Sequence, residues 1–256
     1  YLLRKDSKKR VWSMKPIENV KHYRRIFKGD GLVYFNCKVK QSDLCIGAVL
    51  NLKKQAEESI RKYRQQVEEY IRRQPVFLHS LEPVEPLPGA PEIVNHMCRA
   101  SAACGVGPMA AIAGAVSYYV AKDLVRYSGE LVVENGGDIY IAGKKERVVG
   151  IYAGKSALSG RIGIKISPGN LPVSICTSSG TVGHSLSFGL ADAAVILSED
   201  ACLADAAATA AGNMVRCRDD IERTLNRINM IPGISGILII IGEEIGVWGN
   251  IELVRL

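Results

Sequence analysis

A run of 22 residues without a charged side chain, residues 100–121, limits what this 256-residue chain can fold into. The run is long enough to cross a bilayer, but Ala, Gly and Ser dominate it and contribute little to transfer into lipid. Gly105 and Gly107, followed by Pro108, interrupt it near its start. We therefore expect no membrane span but two buried helices, the second beginning at Pro108 and running to about residue 125.

The net charge of +7 is concentrated in one segment. Residues 1–28 hold ten basic and two acidic side chains, a local net charge of +8, whereas residues 29–256 hold 23 basic and 24 acidic ones. The sequence thus predicts a basic N-terminal arm, 1–28, and one domain, 29–256. The arm has few aromatic side chains and matches no nucleic-acid-binding module, so a nucleic-acid partner is disfavoured.

The cysteines indicate the compartment. There are seven, an odd number, and none lies in a Cys-x-x-Cys pair. This pattern favours a reducing cytoplasm over a disulfide framework or a zinc ribbon. The start of the chain also lacks the apolar core of a signal peptide, so we expect a cytoplasmic protein.

Hydrophobic periodicity predicts both helices and strands, without the steady alternation of a doubly wound sheet. Helices are expected from about 52 to 74, from Pro91 to the break at Gly105, from Pro108 to about 125, and at 200–216 and 219–229. Strands are expected at 31–37, 44–50, 130–134, 138–142, 147–152, 161–166, 172–176, 192–198, 236–242 and 247–254. We interpret this as an α+β fold of layered sheets and packed helices, one compact unit with mixed strand directions.

Two glycine-containing turns are candidate ligand sites. Gly105 and Gly107 precede a helix whose first N–H groups could bind phosphate, although tight helix packing explains the same residues. Asn135, Gly136, Gly137 and Asp138 predict a two-residue hairpin turn, in which side-chain acceptors and open backbone could also meet a ligand.

A loop rich in Gly, Ser and Thr follows the predicted strand 172–176. Hydroxyl and N–H groups at this density can form an anion cradle, and the residues proposed for it are Ser178, Ser179 and Thr181. His184 is the only histidine in the second half of the chain and is a candidate acid or base. Cys176 is a candidate nucleophile if exposed, and otherwise a buried strand-end residue.

A polar stripe crosses an otherwise Ala-rich helix. Asp205, Thr209 and Asn213 lie four residues apart on one face, among small apolar neighbours. A buried carboxylate needs a cation or a donor, and no Lys or Arg occurs between Lys165 and Arg216. Mg²⁺ bound by Asp205 and Thr209 would satisfy the stripe, as would interhelical hydrogen bonds.

Together these stretches resemble the ApbE-like superfamily, and within it a branch from archaea and anaerobic bacteria. Its best-known members are flavin transferases that use Mg²⁺ and FAD to attach FMN to a Thr of a target protein. "ENGGDIYI" resembles the family's Asn/Gly-Gly-Asp hairpin, and "ADAAAT" is similar to its Asp-x-x-x-Thr metal motif. His184 falls near the family's motif His, and the order of these motifs along the chain agrees.

The resemblance implies a layered α+β fold, Mg²⁺ on Asp205 and Thr209, a flavin nucleotide (FAD or FMN) or other phosphate-bearing ligand, and an acceptor protein. Two motifs differ: "SLSFG" follows His184 where the transferases have Asp-Pro-x-Thr-Gly, and no Lys stands at the glycine-rich helix start. Two other functions stay open, a sulfur-assimilation enzyme that uses Cys176 and a non-catalytic binding protein. Buried Ala-rich helices would suit a homodimer.

Overall fold

A computed structural model describes residues 2–4, 13–15, 31–181 and 188–256. The predictions for His184 and for most of the basic arm therefore lie outside the described residues. Within the arm, Leu2–Arg4 and Ser13–Lys15 pair as two short antiparallel strands, β1 and β2.

The other elements follow the predicted order. The helices are α1 Lys53–Arg73, α2 Val76–His79, α3 Glu92–Cys104, α4 Ile112–Leu124, α5 Ala201–Met214 and α6 Asp220–Ile228. Short 3-10 helices occupy Pro108–Ala111 and Pro168–Asn170. The strands are β3 Val33–Val39, β4 Ser42–Ala48, β5 Leu131–Asn135, β6 Asp138–Ala142, β7 Arg147–Gly150, β8 Ile162–Ile166, β9 Val173–Ser178, β10 Ala193–Ser198, β11 Ile234–Ile241, β12 Glu244–Gly249 and β13 Glu252–Arg255.

Eight strands form one sheet in the order β12-β11-β10-β9-β6-β5-β4-β3, and β13-β8-β7 form a second. Every strand pair within the described part of the chain is antiparallel. The α+β class and the single compact unit are confirmed, whereas the prediction of mixed strand directions is wrong. Short turns join several neighbours, and α5 with α6 returns the chain to the end where β10 stops, so β11 runs back beside it.

The central strands of the large sheet are buried on both faces. Cys176 and Ile196 lie in a core shared with the helices, and Ile175 and Val195 lie in a core shared with the small sheet. This division follows from the alternation of side chains along a strand. The molecule therefore has three layers, with helices on one face of the large sheet and the three-stranded sheet on the other.

The uncharged run is divided between two helices, the end of α3 and nearly all of α4, as predicted. Among the described residues no single helix is long and apolar enough to cross a membrane; α3 and the segment Pro108–Leu124 meet that test only as a pair, bent by 106°. Gly105 ends α3 in the left-handed conformation (φ 68°). The second helix starts later than predicted, because the turn after Pro108 is 3-10. Both helices contribute to the buried cores.

The amphipathic helix at 52–74 is confirmed as α1, whose buried stripe includes Ile60, Tyr63 and Val67. The single strand predicted at 247–254 is wrong. Gly249 (φ 78°) ends β12 where a Cβ would collide with the Ser235 carbonyl oxygen, and the next residues join the small sheet as β13. A turn that only glycine accommodates therefore divides one apparent strand between two layers.

Candidate functional site

The N-terminus of α4 meets α5 at the Asp205 carboxylate. Asp205 Oδ2 accepts a hydrogen bond of 2.8 Å from the Gly114 N–H, and the Ala113 N–H also contributes. The two helices can approach this closely because residue 114 is glycine; a Cβ there would collide with the carbonyl oxygen of Ala201. The first N–H groups of a helix lack intrahelical partners, so a carboxylate is well suited to this place.

A second buried carboxylate, Asp138, lies beside the first. It begins β6 and its Oδ1 accepts a hydrogen bond of 3.3 Å from the Thr177 N–H at the end of β9. Asp138 and Asp205 are 6% and 9% exposed. The hairpin turn, the end of β9 and the middle of α5 thus converge on a pair of interacting carboxyl groups.

Burial dominates the electrostatics of this pair. It raises the pKa of Asp205 to about 7, against the opposing effect of the Gly114 and Ala113 N–H groups. Burial also raises the pKa of Asp138 well above its usual range, and the negative charge of Asp205 raises it further. Within residues 31–181 and 188–256, no Lys or Arg forms an ion pair with either group. The charged form of this pair is therefore unfavourable unless a proton or a cation neutralises it.

The predicted hairpin turn is confirmed. Asn135 pairs with Asp138 across the turn, and Gly136 and Gly137 both have positive φ, 71° and 112°. The fully buried Glu134 accepts a hydrogen bond of 3.0 Å from the Gly137 N–H. Asn135 donates to the Ala113 carbonyl oxygen over 3.2 Å, which joins the turn to the start of α4.

Hydrogen bonds hold part of the hydroxyl-rich loop in place. Thr181 Oγ1 donates a hydrogen bond of 2.9 Å to Asp192, whose other carboxylate oxygen accepts from the Gly242 N–H. Ser179 accepts a hydrogen bond from the Thr181 N–H, and Ser178 is buried at the end of β9. These three residues lie just beyond the hairpin turn, but the loop's central residues, including His184, are outside the described ranges.

Cys176 does not meet the condition set for a nucleophile. Its side chain is fully buried, with Sγ 3.7 Å from the Ala201 carbonyl oxygen. Burial, followed by the negative charges of Asp138 and Asp205, raises the pKa of the thiol well above its usual value. A thiol protonated at neutral pH is a poor nucleophile, so we assign Cys176 no catalytic role.

Gly105 and Gly107 have structural roles that the sequence could not separate from ligand binding. Gly105 caps α3, and a Cβ on Gly107 would collide with the Ser80 carbonyl oxygen. Within the uncharged run, the backbone N–H groups that contact the carboxylate pair are instead those of Ala113 and Gly114. The sequence feature that could have singled out Gly114 is its position, directly after the apolar start of a predicted helix.

Thr209 lies one turn beyond Asp205 on α5 and is partly buried. One turn further, Asn213 Oδ1 accepts a hydrogen bond of 2.8 Å from the Phe188 N–H. The two ends of the stripe predicted from spacing therefore reach other candidate regions, since Asp205 interacts with Asp138 after the turn and Asn213 holds the loop.

Comparison with known proteins adds the family. A family model described as "AbpE bacteria" matches residues 24–229. The chain belongs to this family. The resemblance inferred from the motifs is thereby confirmed. Among its AbpE-family relatives, the UPF0280 protein of Methanosarcina barkeri is 43% identical over 201 residues, covering 78% of this chain and 79% of that protein. The UPF0280 protein of Methanocaldococcus jannaschii is 41% identical over 208 residues, covering 79% and 84%.

The AbpE-family chain also shares its fold with solved flavin transferases. The flavin transferase ApbE from Vibrio cholerae superposes with a TM-score of 0.58 at 12% identity, over 86% of this chain and 97% of that one. The flavinyl transferase ApbE of Pseudomonas stutzeri gives a TM-score of 0.56 at 11% identity, over 85% and 93%. Identities this low establish the fold alone.

Proposed function

We propose that this protein binds a flavin nucleotide together with Mg²⁺ and transfers a flavin-bearing phosphoryl group to an acceptor. Family membership and the fold shared with ApbE flavin transferases support a flavin-related transfer. The observation that carries the proposal is the buried pair Asp138 and Asp205, which has no cationic partner among the described residues.

The donor set fits Mg²⁺. Carboxylate and hydroxyl oxygens are the ligands that this ion takes, usually with waters and substrate phosphates completing its coordination. Asp205 and Thr209 would hold it, because they lie one turn apart on α5. Bound Mg²⁺ would neutralise the pyrophosphate of the substrate and polarise the phosphoryl group that is transferred.

The protein's own groups would supply the positioning. The Gly114 and Ala113 N–H groups fix the Asp205 carboxylate at the start of α4. Burial and the negative charge of Asp205 both raise the pKa of Asp138, so Asp138 favours its protonated form when Asp205 is ionised. The open backbone of Gly136 and Gly137 lets a phosphate approach the turn closely.

In the proposed transfer, FAD is the donor. The oxygen of an acceptor hydroxyl bonds to the phosphorus of the FMN half, and the bond from that phosphorus to the bridging oxygen breaks. AMP leaves with the bridging oxygen, and the hydroxyl proton passes to a base or to solvent. The acceptor class proposed is a hydroxyl-bearing side chain of a protein.

Isothermal titration of the full chain with FAD, FMN and ADP, each with and without Mg²⁺, tests the binding step. We expect Mg²⁺-dependent binding that Asp205→Asn abolishes, since the amide still accepts the Gly114 hydrogen bond but cannot neutralise a cation. The exposed Asp219→Asn serves as the matched control. Absence of binding for all three nucleotides would refute the proposal, and binding without AMP release in the presence of acceptor proteins would support the non-catalytic alternative.

A further inference from the structure

A second cluster of metal-ligating side chains lies where α5 begins, about one turn before Asp205. His96 of α3, Asp200 before α5 and Cys202 in its first turn place a ring nitrogen, a carboxylate oxygen and a thiol sulfur within 4.8 Å of one another. None of these residues takes part in the proposed flavin site. We propose that His96, Asp200 and Cys202 form a binding site for a transition-metal ion of the Zn²⁺ type.

The ligand types favour this class of ion. Nitrogen, thiolate sulfur and carboxylate oxygen together suit Zn²⁺, whereas Mg²⁺ prefers oxygen alone. Three protein ligands leave a fourth position for water. With ordinary zinc bond lengths, a tetrahedral site separates its ligand atoms by about 3.2–3.7 Å. Side-chain adjustments within the observed 4.8 Å would therefore be small.

Two of the ligands are already held in place by hydrogen bonds. The His96 Nε2 atom lies 2.9 Å from the Asp200 carboxylate, and its Nδ1 lies 3.4 Å from the Tyr119 hydroxyl. Asp200 Oδ1 also accepts a hydrogen bond of 3.0 Å from the Leu203 N–H as the cap of α5. Metal-binding histidines characteristically use their second ring nitrogen in this way, which fixes the tautomer and the ring orientation.

The contact between His96 and Asp200 could exist without a metal ion, but it does not involve Cys202. Its side chain is fully buried, and among the described residues its thiol has no hydrogen-bond acceptor. Buried free cysteines usually serve as small apolar side chains, and Cys202 does lie in the helical core, but its sulfur also lies within 4.8 Å of two other metal-ligating atoms. Asp200 gives access to the site, since 40% of its side chain is exposed against 15% for His96.

The experiment uses the full chain, stripped of metal under reducing conditions and titrated with Co²⁺ and then with Zn²⁺. A thiolate bound to Co²⁺ produces a charge-transfer absorption band in the near ultraviolet, and we expect this band in the wild-type chain and its loss on adding Zn²⁺. Excess Mg²⁺ should not displace Co²⁺. Competition with a chelator measures the Zn²⁺ affinity.

Substitutions separate this site from its surroundings. Cys202→Ser should abolish the band, His96→Gln should weaken Zn²⁺ binding by about 100-fold or more, and Tyr119→Phe by about 10-fold. The exposed Cys217→Ser and His79→Gln are the matched controls and should leave both readouts unchanged. If Cys202→Ser does not fold, the His96→Gln affinity decides.

The outcome is independent of the flavin proposal. Asp205→Asn should retain the cobalt band even where it abolishes flavin binding. Absence of the band in the wild-type chain, or its persistence in Cys202→Ser, would overturn the zinc site and leave the flavin site untouched.

Discussion

At the scale of single residues, Asp205 experiences two opposed effects. The N–H groups at the start of α4 stabilise its negative charge, and burial among small apolar side chains destabilises it. Burial is the larger effect, because the pKa of the carboxyl group rises to about 7 despite the hydrogen bonds. A residue balanced in this way responds strongly to pH and to a cation.

The first prediction follows from that pKa. Between about pH 4, where an unfolded Asp titrates, and about pH 7, the folded chain binds more protons than the unfolded chain. The contribution of Asp205 to the free energy of unfolding therefore falls as pH rises through this range. Denaturant titrations should show the decline in the metal-free protein, and Mg²⁺ should reduce it at pH 8.

Asp205→Asn should flatten the same profile, because an amide has no proton to lose, and the exposed Asp219→Asn should leave it unchanged. A steep decline that persists in Asp205→Asn would assign the effect to another group, with Asp138 the next candidate.

The second prediction concerns Gly114. Gly114→Ala should lower the free energy of unfolding by about 1–3 kcal/mol, because the new Cβ meets the backbone oxygen of Ala201 and forces the helices apart. It should also weaken Mg²⁺-dependent flavin binding by moving the N–H donor. Chemical denaturation and titration calorimetry measure the two effects. Gly129→Ala, where a Cβ has open space, is the control; equal losses in both variants would contradict the packing argument.

At the scale of elements, the hairpin between β5 and β6 brings several candidate residues together. A two-residue turn with positive φ at both positions matches the twist of antiparallel strands, so Gly136 and Gly137 place Asp138 at the start of β6. The neighbouring strand β9 then supplies the Thr177 N–H to that carboxylate.

The third prediction compares the two turn glycines. Gly137→Ala should destabilise the fold by about 1–3 kcal/mol, because φ 112° is a strained conformation for a residue with a side chain. Gly136→Asn should cost about 1 kcal/mol or less, since Asn adopts the left-handed conformation readily. Thermal unfolding monitored by circular dichroism distinguishes them. A reversed order would show that the turn differs from the geometry described.

The Ala-rich helix α5 is the element around which the rest packs. Its residues from Ala201 to Ala208 are buried on every side, against α3, α4 and the large sheet. A helix that is apolar all round is expected to be internal. Its small side chains let backbones approach one another, which is why two candidate ligand sites can lie along its length. That such helices suit a homodimer stays a prediction.

At the scale of the whole molecule, the charge distribution assigns different partners to different parts of the chain. A nucleic acid would suit the basic arm, and a flavin nucleotide would suit the domain. The net charge of residues 29–256 is close to zero, and the site proposed for flavin is built from carboxylates, hydroxyls and backbone N–H groups. The division into a basic arm and one domain stays a prediction, as does the cytoplasmic location.

The fourth prediction tests that division. Deleting residues 1–18 should leave FAD affinity within about twofold of wild type, because every group proposed to bind it lies between residues 113 and 209. The same deletion should reduce retention on a nucleic-acid column at low salt, since charge contacts of this kind are screened by salt. Retention that survives the deletion at high salt would indicate a nucleic-acid site in the body of the protein.

The sequence by itself determined the local structure. The 3.6-residue stripe of α1, the double-glycine turn, the break at Gly105 and the Ala-rich face bearing Asp205 are all short-range patterns, so periodicity and turn chemistry identified them. The same patterns did not separate β12 from β13 or predict the strand directions, because both depend on contacts between distant segments.

Only the tertiary structure decided which residues meet. Asp138 and Asp205 are 67 residues apart in sequence, and their interaction depends on how β6, β9 and α5 pack. That packing placed Gly107 against the Ser80 backbone, gave Gly114 the hydrogen bond to the carboxylate, and buried Cys176 beyond the reach of solvent. It also brought His96 close to Cys202. The sequence could not indicate this cluster, because ligands from two helices leave no spacing motif along the chain.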